Sequence, residues 1–131
     1  MKHSHAAHGN TKRPYLQLVL MGGLHFPLMY FIMFAMVYSA DEVVHNLNTL
    51  YMAFMMVAPM IFLMPLLMRE MYPDKKLNLL VYASSIAMLV VFFLFTRQQT
   101  FIGDKQFLKS MIPHHSGAVL MCEKAKIQDA E

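Results

Sequence analysis

Charged residues are scarce in this chain and cysteine is nearly absent. Only 15% of the 131 residues are Asp, Glu, Lys or Arg, and Cys122 is the single cysteine. A lone cysteine excludes an internal disulfide framework and leaves a metal ligand, an intermolecular bridge or an idle thiol. The net charge of +3 is modest, and the basic residues flank apolar runs instead of clustering, so no nucleic-acid partner is expected. The chain also lacks a nucleophile–base pair, a phosphate-cradling loop and paired carboxylates at useful spacing. No enzyme is therefore expected. The adjacent Asp41 and Glu42 are better explained as helix-capping residues, because Ser39-Ala40-Asp41-Glu42 has the form of a capping box and predicts a helix starting near Ala40.

Apolar length takes the place of charge. A hydrophobic fraction of 57% is too high for an ordinary soluble domain of this size. Three runs stand out: Tyr15–Tyr38, 24 residues without a charge, then Thr49–Met68 with 20 and Leu77–Phe95 with 19. A bilayer core takes about 20 apolar residues per helix. The first run is too long for a signal-peptide core and has no small-residue cleavage site, so it reads as an uncleaved span. Pro27, Pro59 and Pro65 fall inside the first two runs, and membrane helices tolerate such residues. The predicted fold class is all-α: an integral membrane protein with three transmembrane helices followed by an amphipathic, Pro-kinked helical tail. Residues 1–14 form a polar, His-containing segment (His3, His5, His8), residues 15–96 the transmembrane region, and residues 97–131 an extramembrane His/Met segment.

Lysine and arginine set the orientation. Lys2, Lys12 and Arg13 precede the first run, and Arg69, Lys75 and Lys76 lie between the second and third, whereas the first connection has none. Arg97, Lys105 and Lys109 weaken this asymmetry without reversing it. The N-terminus is expected inside and the tail outside, which in a bacterium means the inner membrane with a periplasmic tail.

Fifteen methionines are present, a residue normally used sparingly. Met21, His25, Met29 and Met33 recur every fourth residue in the first run, as do Met52, Met56, Met60, Met64 and Met68 in the second. Such spacing places each set on one slowly winding helix face, about 24 Å long for the second. His45 is expected on the same face, at the outer mouth. Packing explains any single methionine. Nine stripe positions with an ionisable group at His25 also fit a soft-ligand path, because thioethers suit Cu(I) and intramembrane ionisable groups are functional candidates. His25, Met29, His45, Met52, Met56 and Met60 are the members of that secondary path.

The tail is denser in metal-binding side chains. Asp104, following Gly103, is expected to cap a helix on which Phe107, Met111, His114, Ala118 and Met121 share a face. Pro113 should kink this helix or split it. Adjacent histidines on one helix point about 100° apart, so a single ion pairs more readily with His115 and Met111, or with His114 and Met121, plus ligands from elsewhere such as His45, Asp41 or a second subunit. Cys122 lies seven residues after His115 on the same face. Solvent-facing histidines beside a small core are the competing reading of this spacing.

The motif Asp104-x-x-Phe107-Leu108-x-x-Met111-Ile112-Pro113-His114-His115-Ser116-Gly117-Ala118, continued by Met121-Cys122-Glu123-x-Ala125, resembles the domain of unknown function 305 family. The resemblance implies a small helical bundle in a bacterial envelope, linked to copper or silver binding and tolerance. It implies Met111, His114, His115 and Met121 as ligands, with Cys122 a weaker candidate. The family continues into a further helix where this chain stops at Glu131, so only the first part of the domain is expected here.

The leading expectation is a membrane-anchored soft-metal binding protein for envelope metal handling, with the lipid bilayer and a metal ion as partners and a homo-oligomer as a further one. Cu(I) is the expected ion, with Ag(I) or Zn as alternatives, and affinity should fall as histidine protonates near about pH 6. A second expectation is an oligomeric, Met-lined transporter. The chain superficially resembles the small eukaryotic-type copper transporters in its three spans and the Met-xxx-Met of the second, but the expected orientation is inverted and the third span lacks their Gly-xxx-Gly. A third is a structural or regulatory membrane subunit that binds no metal.

Overall fold

The computed structural model describes residues 12–126. His3, His5 and His8 lie outside the described residues. Those described are all-helical or irregular, with no strand. Helix α1 spans Arg13–Ile32, α2 spans Leu47–Leu67, α3 spans Lys75–Gln98 and α4 spans Asp104–Lys124, with a short 3-10 turn at Ala40–Glu42. The first three are long and apolar enough to cross a membrane.

Local chemistry sets the ends. Asp74 caps α3 by accepting from the N–H groups of Lys76 (2.9 Å) and Leu77 (3.2 Å). Gln99, in the left-handed conformation, closes it. The cap of α2 corrects the sequence expectation: Ser39–Glu42 forms only the 3-10 turn, with no side-chain cap bond, and α2 starts at Leu47. Asn46 is the cap, its Oδ1 accepting from Thr49 N–H at 2.9 Å and from the Thr49 hydroxyl at 3.0 Å. Asp104 is likewise not a cap but the first helical residue after Gly103. Pro113 does not split the tail helix, since α4 runs through it as one element.

The first apolar run also departs from expectation. Helix α1 stops at Ile32, six residues before Tyr38. From there the backbone bonds tighten to three-residue spacing, as in Phe34 N–H to Phe31 (3.0 Å) and Ala35 N–H to Ile32 (2.9 Å). This turn swings the chain beneath α4. Apolarity says that Met33–Tyr38 avoids water; it does not say that the segment is helical.

Helix α2 is central, packed between α1 and α3. Where α1 and α3 begin, Tyr15, Leu18 and Tyr72 are buried together against Ile61, Met64, Leu77 and Val81. The Tyr15 phenol accepts from Asp74 N–H (3.1 Å) and donates to Asn78 Oδ1 (2.9 Å), and its ring meets Tyr72 edge-on at 5.2 Å. Burial pushes the Tyr72 phenol above its ordinary pKa. Midway, Phe26, Phe54 and Phe92 stack in sequence across all three helices, with centroids 4.4 Å and 4.3 Å apart. Gly22 lets α1 approach α2, because a Cβ there would stand 3.1 Å from Ile61 Cδ1. Helix α4 lies at the far end, against the start of α2 and the 3-10 turn.

Candidate functional site

Ser116 and Gly117 are buried halfway along α4. The Ser116 hydroxyl accepts from Tyr38 N–H at 2.7 Å and donates to the Glu42 carboxylate. A Cβ on Gly117 would already stand 3.4 Å from the Met36 carbonyl. The segment between α1 and α2 therefore forms a seat for α4. Nearly two turns nearer the α4 start, Asn48 Nδ2 reaches Ser110 Oγ and Gln99 Oε1, each at 3.2 Å, and Gln99 Nε2 returns a bond to Asn48 Oδ1. These bonds hold α4 across the mouth of the bundle.

Between α4 and the bundle lies a cavity of about 340 Å³. His114 and Met111 line it from α4, Met52 from the second turn of α2, and Met33 from the end of α1. Asn46, Asn48, Thr49 and Gln99 supply its polar wall. His114 is paired with no hydrogen-bond partner among the described residues; its one ring contact is His115, with centroids 5.7 Å apart and planes at 81°. Both adjacent histidines are exposed, and they differ in their contacts. His115 is exposed and its Nδ1 lies 2.9 Å from the Met111 carbonyl oxygen, so what it meets at Met111 is backbone and not sulfur.

The remaining candidates are dispersed. Met121 and Cys122 are exposed beyond the cavity. His45 is not on α2, as the spacing had suggested, but in the extended segment before it. There it stacks on Tyr30 (5.7 Å, 16°), meets Phe34 edge-on, and bonds the Tyr30 hydroxyl through Nδ1 at 2.9 Å. Those two residues flank a separate hollow of about 220 Å³, shared with Gln106. Asp41 is exposed, and it is Glu42 that meets the tail. His25, Met29 and Met60 are half-buried on the first two helices, whereas Met56 is 48% exposed. The α2 stripe is thus exposed at Met52, Met56 and Met68 and half-buried at Met60 and Met64, the latter packed on the Tyr15 cluster. Among the described residues, no three of His, Cys, Asp and Glu gather as a metal-holding group. What gathers is one imidazole with thioethers.

Sequence reasoning missed the seat. Its signals were small residues: Ser110 and Gly117 stand seven apart, hence on one helix face, as at close helix contacts in membranes. Asn46-x-x-Thr49 likewise carried a legible cap.

No family model matches the chain, and no solved structure matches it. The chain is similar to an uncharacterized protein of Acanthamoeba polyphaga mimivirus, 36% identical over 83 residues, which cover 63% of this chain and 53% of the viral protein. The chain thus spans about half the length of the curated relative it matches.

Proposed function

We propose that this protein is a membrane-anchored binder of a soft metal ion, Cu(I) first, which it holds at the mouth beneath α4. The observation that carries the reading is the cavity shared by His114 and Met111 of the tail with the outermost stripe methionine of α2, Met52. Imidazole and thioether are the donors that Cu(I) and Ag(I) accept, and carboxylate-rich sites suit harder ions. The likeness of Met111–Ala118 to the domain of unknown function 305 family supports the same chemistry. The membrane half of the reading rests on α3, where only 6% of the apolar window is buried inside the protein. A helix so apolar and so bare needs lipid around it. The distribution of lysine and arginine supports an orientation with the mouth on the outer face.

The test is competition for Cu(I) between a chromogenic chelator and the detergent-purified chain, wild type against His114→Ala. Tight binding that weakens at least about 10-fold in the variant is the expected result. Equal binding by both would move the site away from the mouth, and no binding by the wild type would end the metal reading.

Transport is the second reading, favoured by one observation: Met52 and Met56 are both exposed on α2, so oligomerisation would bring several copies of them together. Copper uptake by vesicles containing only this protein separates it from capture, which requires none.

A further inference from the structure

We infer that Met33 and Met52 complete a four-donor site with Met111 and His114, uncharged and therefore selective for a monovalent soft cation over a dication such as Zn(II). This rests on reading the mouth as a metal site, and it adds which residues hold the ion and why its charge is limited.

The donors come from three elements that the fold brings to one cavity. Met33 follows the last residue of α1, still in helical conformation and bonded to the Met29 carbonyl at 3.2 Å, so the stripe itself ends at the mouth. Met52 is 41% exposed, on the second turn of α2, so its thioether is free to move. Met111 and His114 are three residues apart on α4 and share a face.

The other polar groups of the wall are already engaged. Asn46 Oδ1 holds Thr49, and Asn48 is bonded to both Gln99 and Ser110. The imidazole of His114 has no such partner, which leaves it and three sulfurs as the available donors. Among the described residues, no carboxylate or thiolate lines the cavity. Glu42 is nearby but occupied by Ser116, and Cys122 lies outside. A partly enclosed dication without an anionic ligand is costly, and zinc sites supply thiolates, carboxylates or several imidazoles. A monovalent ion with a preference for thioether sulfur meets neither objection. When bound, such an ion ties the tail helix to both spans that face it.

The experiment measures Cu(I) and Zn(II) affinities of the full chain in detergent for wild type, Met33→Leu/Met52→Leu, Met56→Leu/Met60→Leu and His114→Ala. Leucine keeps the volume and polarity near those of methionine, so packing is little disturbed. Should the first pair misfold, the single variants Met33→Leu and Met52→Leu take its place. The expected result is a loss of at least about 10-fold in Cu(I) affinity for Met33→Leu/Met52→Leu. Met56→Leu/Met60→Leu should bind as wild type does, and Zn(II) should bind more weakly than Cu(I) throughout. If His114→Ala loses Cu(I) while Met33→Leu/Met52→Leu keeps it, the span thioethers are not ligands and the tail site stands alone. Zn(II) bound as tightly as Cu(I), or an equal loss from Met56→Leu/Met60→Leu, overturns the four-donor site. A wild type that binds no Cu(I) removes it together with the metal reading.

Discussion

Where α1 and α3 begin, two tyrosines and a leucine are buried together and a buried phenol joins Asp74 to Asn78. Where α4 lies, Ser116 bonds Glu42, and Asn48 bonds Gln99 and Ser110, the last three of which line a cavity. Hollows flank both ends, about 560 Å³ beside Tyr72 and Asn78 and about 340 Å³ at the mouth. The difference lies in the lining: aromatic, aliphatic and basic side chains at the first end, His114 and three methionines at the mouth. The aromatic cluster ties the starts of α1 and α3 to α2, and the mouth keeps soft donors available for an ion.

Five substitutions break or sharpen that contrast. The largest effect is expected from Tyr15→Ala, which empties the packed end and should cost about 3–5 kcal/mol of stability. Unfolding by SDS titration measures it, and Cu(I) affinity of the protein that remains folded should be nearly unchanged. Equal losses of stability and affinity would mean that the two ends are not independent.

At the mouth, Ser116→Ala leaves Glu42 and the Tyr38 N–H without their partner and should cost about 1–3 kcal/mol, concentrated in α4. Faster tryptic cleavage after Lys105 and Lys109 reports that release, with the three-helix part still intact. Unaltered cleavage would show that the seat does not hold the tail.

Asn46→Ala removes the cap of α2 and should cost about 1 kcal/mol, seen as quicker amide exchange over Leu47–Thr49. The smallest effect belongs to Gly23→Ala. A Cβ there meets nothing within 4 Å, while at the neighbouring Gly22 it would press on Ile61. Gly23→Ala should leave the SDS midpoint unchanged or slightly higher, and Gly22→Ala should lower it.

The legible part of this structure was its long apolar periodicity. Thr49–Met68 and Leu77–Phe95 fall almost wholly within α2 and α3, since twenty uncharged residues with helical spacing have few other solutions. Met111 and His114 were also readable on one helix face, although spacing paired His115 with Met111 and His114 with Met121. The end of α1 was not, because Met33–Tyr38 is as apolar as the helix before it and turns only to meet α4. Ser116 and Gly117 were legible only as small residues: they matter through contacts with Glu42, Tyr38 and Met36, more than seventy residues away, which no local pattern names. Met33 was legible as a stripe methionine, but that it lines the mouth depends on where α4 lies, which its spacing does not show.

X-ray absorption of the Cu(I)-loaded, purified chain tests the central claim most directly. A mixed shell dominated by thioether sulfur, with imidazole nitrogen that disappears in His114→Ala, is the predicted result. A shell of nitrogen and oxygen alone, or one unchanged by His114→Ala, would contradict a soft-metal site at the mouth.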